Sequence, residues 1–498
     1  MRIPFIAAAC VLTVACGGGR ELGSTPTAPS RSLDDHVQVP WEKPVRKAIC
    51  RAEDRVETGL QGQVPLVDRV SGRSQQGYNC NLDLVGQWQG DGASWQMAWY
   101  DDCAYYGTKR NDARERPGVV VIDASNRTNP RPSAYLTTTP MLDPWESLKV
   151  NEKRAMLGAV DGQEGGGGNQ FDLYDLSGGC THPELLANAE MADTSGHEGN
   201  FSQDGLTYYS SSTGDYSAFD ISDPTNPEYM LTWTTPAAST HGLSTNEDGT
   251  RAYVVSLGLA SGASGSTDNG LVIYDTTDIQ NRAENPEVPI ISETYWLDGS
   301  ETAQHTLPIK INGVPHIVFV DEAGISGKNC ASGLSPFAFA RIFDISDEAN
   351  PQLTAKLMLE THDPANCATV LADYPGQVLF GYDSHYCTAD DPENAQALAC
   401  GYFNSGIRVF DIRDPYFPRE IAYYNPPAQV GKQDQLSGSQ HAAGDLGGLG
   451  QGVQMTADWC SAQIRFVRER GELWGTCQDN GFMILQFADN VWPFNDSD

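Results

Sequence analysis

Positive charge is what this sequence has least of. Lysine and arginine number 32 against 65 aspartates and glutamates in 498 residues, a net charge of −33. Nucleic acids are held by basic faces, which sets them aside as partners. Most of the acidity reads as solvated surface, and cation binding is the sharper reading. No CxxC pair occurs among the 12 cysteines, which argues against a structural zinc site. GxSxG, P-loop and HExxH signatures are missing as well, so no nucleophile elbow, nucleotide cradle or zincin helix is expected. The glycines at 165–168 lack the lysine of a P-loop and read as a loose insertion. Beyond residue 15 no apolar run is long enough to span a bilayer.

Turn chemistry, by contrast, is abundant, with 50 glycines and 29 prolines. The stretch Phe219-Asp220-Ile221-Ser222-Asp223-Pro224-Thr225-Asn226-Pro227 shows why. Phe219 and Ile221 alternate with polar residues, as a half-buried strand requires. Asp220, Ser222 and Asp223 can hydrogen-bond their own backbone, and the prolines stop the ladder. The pattern recurs six times, with its aspartates at 123, 175, 220, 275, 344 and 411. A β-rich unit repeated at this period points to a propeller of four-stranded blades, a to d from the axis outward, with this turn joining c to d.

Counted from these turns, blades one to six run over 94–139, 145–191, 197–235, 241–297, 305–359 and 368–424. A seventh unit has strands at 463–467, 472–475 and 482–487 and then runs out. The spare strand 82–88 precedes blade one and can supply the missing outer strand. The expected fold is therefore all-β, a seven-bladed β-propeller whose ring is closed by an N-terminal outer strand, which hides both free edges.

The segments Gly118-Val119-Val120-Val121-Ile122-Asp123, Gly270-Leu271-Val272-Ile273-Tyr274-Asp275 and Gly406-Ile407-Arg408-Val409-Phe410-Asp411 resemble the LVIVD-repeat proteins, a family of exported bacterial propellers. The resemblance covers roughly 82–487 and implies the fold. It implies little about activity, because one propeller fold hosts many functions.

The amino terminus reads as an export signal over 1–15, with Arg2 ahead of an apolar run. Leu12-Thr13-Val14-Ala15-Cys16 resembles a bacterial lipobox, which implies cleavage before Cys16 and lipidation of that cysteine. Thr13 departs from the pattern and leaves ordinary secretion as the alternative. Residues 16–81 are expected to form a lipidated tether and N-terminal extension, and 82–498 the propeller. The membrane is then a partner only through the lipid, at the outer membrane or cell surface. Ten cysteines remain after Cys10 and Cys16, an even number that suits disulfides in an oxidising compartment. Cys387 and Cys400 flank one insertion, and Cys460 and Cys477 flank a hairpin of blade seven, so these two pairs are expected to bridge. Cys330 with Cys367 is a weaker pair.

The long insertions, at 101–117, 256–269, 321–336, 383–404 and 429–458, all read as b–c or d–a connections. They therefore share one face, which is where a ligand site is expected. His197, His241 and His305 each lie eight residues before the a–b turn glycine, at Gly205, Gly249 and Gly313. That register starts the innermost strand of three consecutive blades near the axis; Trp95 and Trp145 occupy the comparable neighbourhood in blades one and two. Strand b ends on the same face at Asp101-Asp102, Asp161, Asp321-Glu322 and Asp383, and His362, His385 and His441 lie in its connections. Imidazoles with carboxylates are transition-metal ligands, and Asp321 or Glu322 can complete such a shell. The same histidines can equally satisfy strand-end backbone or touch a substrate. Two functions stand open at this level. One is a cell-surface binding scaffold for a protein or small-molecule ligand. The other is a metal-dependent hydrolase or oxidoreductase using the axial histidines.

Overall fold

In a computed structural model of the chain, every repeat aspartate makes the turn its sequence prescribes. The carboxylates of Asp123, Asp175, Asp220, Asp275, Asp344 and Asp411 each accept the backbone N–H two residues on, at 2.8–3.1 Å. The structure describes residues 39–109, 114–162, 168–190, 196–211, 214–236, 240–257, 269–298, 302–324, 326–373, 380–428, 436–439 and 457–494. Cys16, the export signal, His36 and His441 lie outside the described residues.

Among the described residues the strands form seven antiparallel sheets, the blades of a seven-bladed propeller. The innermost strands are Met97–Tyr100, Lys149–Asn151, Glu198–Phe201, Thr240–Thr245, Thr302–Ile311, Cys387–Ala389 and Arg465–Val467. Strand c is buried on both faces: Val119, Val120, Val121 and Ile122 are fully covered. The glycine ahead of it has a steric cause. Gly118 has φ +106° and Gly406 φ +76°, and a Cβ at Gly118 would meet the Leu136 carbonyl oxygen of strand d at 1.9 Å. The core lies between blades. Ala104, Val120 and Ile122 of blade one, for example, join Trp474, Phe482 and Ile484 of blade seven in one cluster.

The ring closes as expected. Leu82–Trp88 pairs antiparallel with Gly481–Phe487, from Leu82 opposite Phe487 to Trp88 opposite Phe482. Residues 39–81, expected as the end of a tether and an extension, are built onto the ring instead. Tyr78–Cys80 adds a fifth strand to blade six, and parallel bridges join Trp41 to Ala355, Pro44 to Met358 and Arg46 to Arg419. Arg408 of blade six is buried between Glu420, at 2.9 Å, and Glu57 of this segment. Among the described residues five disulfides are formed. Cys387–Cys400, Cys460–Cys477 and Cys330–Cys367 pair as read. Cys50–Cys80 pins the added segment, and Cys103–Cys180 joins blade one to blade two. Bridges of this number fit an oxidising, extracytoplasmic compartment.

Two blades start elsewhere than expected. In blade six, Cys387 and Cys400 face each other on strands a and b, so 383–404 contains the a–b hairpin, and Asp383 precedes it. The turn there has no glycine; the Asp390 carboxylate organises it by accepting the N–H groups of Asp391, Gln396 and Ala397. In blade one, Tyr100 pairs with Cys103, so Asp101-Asp102 is the a–b turn and lies on the opposite face from the one expected.

A chain beginning at Gly92 should expose the Gly481–Phe487 edge, aggregate, and melt roughly 10 °C or more below one beginning at Gly23. Equal solubility and melting temperature would remove closure as a source of stability. Replacing Cys103 and Cys180 by serine opens a link of 77 residues and should cost about 4 kcal/mol in denaturant melts, if loop entropy is the main contribution.

Candidate metal centre

One register position of the innermost strand builds the axis. It lies five residues ahead of the residue that closes the a–b hairpin. In blades two, three, four and six it holds Glu146 before Asn151, His197 before Ser202, His241 before Asn246, and His385 before Asp390. In blade one it holds Trp95 before Tyr100. Inner strands converge, so these side chains reach one volume. Blade five contributes Glu322 from strand b, Val314–Ala323. Five consecutive blades thus supply one group each.

Glu146 is central. Its Oε2 lies 3.2 Å from His197 Nε2 and 3.4 Å from His241 Nε2, and its Oε1 3.1 Å from His385 Nε2. Glu322 Oε2 is 3.4 Å from His385 Nε2, and its Oε1 is 3.9 Å from His241 Nε2. Two rings are fixed from behind. His241 Nδ1 donates to the Gln304 carbonyl at 2.9 Å, and His385 Nδ1 to the Ser461 carbonyl at 2.8 Å. Such outer partners orient an imidazole so that Nε2 faces a metal. Glu146 Oε2 and His385 Nε2 are buried, and each faces another group of the centre, His197 Nε2 at 3.2 Å and Glu146 Oε1 at 3.1 Å. The Trp145 indole N–H reaches His197 Nε2 at 3.2 Å, a contact that a metal on that nitrogen would displace.

Two expected ligands are elsewhere. His305 sits further along the axis, its Nδ1 3.5 Å from Glu198 Oε1 and its ring against Tyr386. The shared offset from the turn glycine is misleading there, because Ile311 pairs with Val314 across a two-residue turn while Asn246 and Arg251 close a four-residue one. Ser244 meets Thr306 at 2.7 Å across the blades, which puts His305 deeper than His241. Asp321 also misses the centre. Neighbouring strand residues face opposite ways, and Asp321 turns into the sheet, 2.5 Å from Arg341 and 3.0 Å from Asn269. Its neighbour Glu322 faces the axis. Glu146, Glu198 and Lys149 carried no mark in the sequence, and His385 was placed only in a connection to this face.

Burial penalises every charge here, so the groups decide one another's state. Burial disfavours the His241 imidazolium, but its contact with Glu198 and the charges of Glu146 and Glu322 outweigh that and push it up to about 10. His385, likewise buried, is pushed up to about 9 by Glu146 and Glu322. Burial raises Glu146 and Glu198, yet the imidazoles hold Glu146 well below its ordinary value and, with Lys149, hold Glu198 at about 2. Burial drives Lys149 and His305 down. His241 and His385 are therefore the groups that favour the charged form here, and a metal would displace their protons.

The centre has two unlike sides. Toward the long connections stand Trp95, Trp145, Phe380, Phe403 and Trp459, an aromatic wall in which Trp95 and Phe403 lie 5.5 and 5.1 Å from the His385 ring. Trp145, Phe380 and Phe403 have φ of 48°, 55° and 33°, strained values for aromatic residues that cluster where function does. Toward the hairpins runs a cavity of about 440 Å³ with Lys149, Asn200, Ser244, His305 and Thr306 on its wall.

No family model and no curated protein matches the chain. Among solved structures the chain is similar in path to the hydrazine synthase of Kuenenia stuttgartiensis, at 10% identity and a TM-score of 0.49, over 82% of this chain and 97% of that one.

Proposed function

We propose that this is an exported, lipid-anchored β-propeller of the LVIVD-repeat type whose axial centre binds divalent transition metal and performs metal-dependent chemistry there. The convergence of three Nε2 atoms and two carboxylates from five blades carries the reading. A mixed nitrogen and oxygen donor set suits manganese, iron, cobalt or zinc. When bound, such an ion supplies Lewis acidity and an acidified water. The chain's own groups fix the imidazoles and keep water off one side with the aromatic wall. The one-sided long connections favour the second reading, a binding scaffold for a protein or small-molecule ligand.

Purified protein exposed to each ion and passed through gel filtration should retain metal, and His241→Ala should lose most of it. Wild-type protein that emerges bare from every ion would leave only the scaffold. Metal affinity should climb steeply with pH between pH 6 and 8, because protons leave the raised histidines as metal enters; a flat profile would contradict the exchange. The raised histidines also give a sign for stability. Without metal, their contribution is complete below about 6.5 and is lost as pH rises through about 9 to 10. Thermal melts of metal-free protein should therefore fall across that window, and added metal should abolish the fall.

A further inference from the structure

The two carboxylates of the centre divide their oxygens in the same sense. Glu146 turns Oε2 to His197 and His241 and Oε1 to His385. Glu322 turns Oε1 to His241 and Oε2 to His385. We propose that the centre holds two metal ions, with Glu146 and Glu322 each bridging the pair. This rests on the metal-binding reading above.

The first position takes His197 and His241 with Glu146 Oε2 and Glu322 Oε1. The second takes His385 with Glu146 Oε1 and Glu322 Oε2. In the triad of Glu146, His197 and His241, and in that of Glu146, Glu322 and His385, the donor atoms lie within 4.8 Å of one another. A carboxylate that chelates a single ion presents both oxygens to the same side. Here the imidazoles approach Glu146 from both oxygens, which is the arrangement of a bridge. Glu322 repeats the division from another blade, so two independent side chains describe the same two positions.

Charge and coordination follow. Glu146, Glu198 and Glu322 bring three buried negative charges against the four of two divalent ions. The surplus favours a hydroxide or a small oxyanion between the metals, where paired ions clamp two oxygens. The second position has three protein donors, and its histidine lies against Trp95 and Phe403. Exogenous ligands therefore complete that position beside the aromatic wall.

Metal-free protein loaded with manganese, then with zinc, should hold two ions per chain by mass spectrometry of the metal. His385→Ala should hold one. The manganese form should show an exchange-coupled electron paramagnetic resonance spectrum in the wild type and an isolated-ion spectrum in His385→Ala. His385→Gln, which keeps the volume of the side chain, serves if the alanine variant does not fold. One ion per chain in the wild type, with an uncoupled spectrum, would overturn the pair and leave the metal reading standing. No ion at all would overturn both.

Discussion

The antiparallel pairing of 82–88 with 481–487 holds seven blades in a closed ring. The axial geometry depends on that closure. Each group of the centre comes from a different blade, and no two are neighbours in sequence. Their distances are set by the circumference of the ring. An open or slipped ring would separate Glu146 from His385, which lie 3.1 Å apart across four blade steps. The disulfides and the packed 39–81 segment act on the same quantity, because they stiffen individual blades or fix adjoining ones.

Burying three carboxylates on an axis is unfavourable unless they are paired. The imidazoles and Lys149 supply the pairing, and they do so with atoms that a metal can take over. The acidity of the whole chain has the same sign as these carboxylates, so the surface field draws cations and repels anions at long range. Local positive charge beside the cavity comes from Lys149.

Much of the fold was legible because it rests on local rules. An aspartate that bonds the N–H two residues on works the same way in six places, and a missing strand at one end matched a spare one at the other. The site was less legible. His197 and His241 were found because their hairpins have equal turns. His305 was misplaced because its turn is two residues shorter, a difference that the glycine conceals. His385 was hidden by a hairpin with no glycine at all. Counting from the last paired residue, not from the turn, brings Glu146, His197, His241 and His385 into line, but that residue is known only once the strands are paired. Glu146 is one glutamate in a chain with 65 acidic residues, and nothing local distinguishes it. Asp321 and Glu322 differ only in which way the strand turns them, and the neighbouring strand's register is bulged beside them.

The repeated axial position has an evolutionary consequence. Six blades present one residue there from the inner strand and blade five reaches it from strand b with Glu322, each on a backbone held by its own sheet, so one codon change alters one donor and leaves the other places intact. Trp95 of blade one and Ala462 of blade seven, five residues before Val467, which closes its hairpin with Glu472, share this register, and a histidine or glutamate at either would extend the donor set without a new loop or a new strand. A ring of this kind diversifies its axial chemistry as a combination lock does, by turning single wheels. Relatives are then to be told apart by seven letters read around the axis, more than by overall identity.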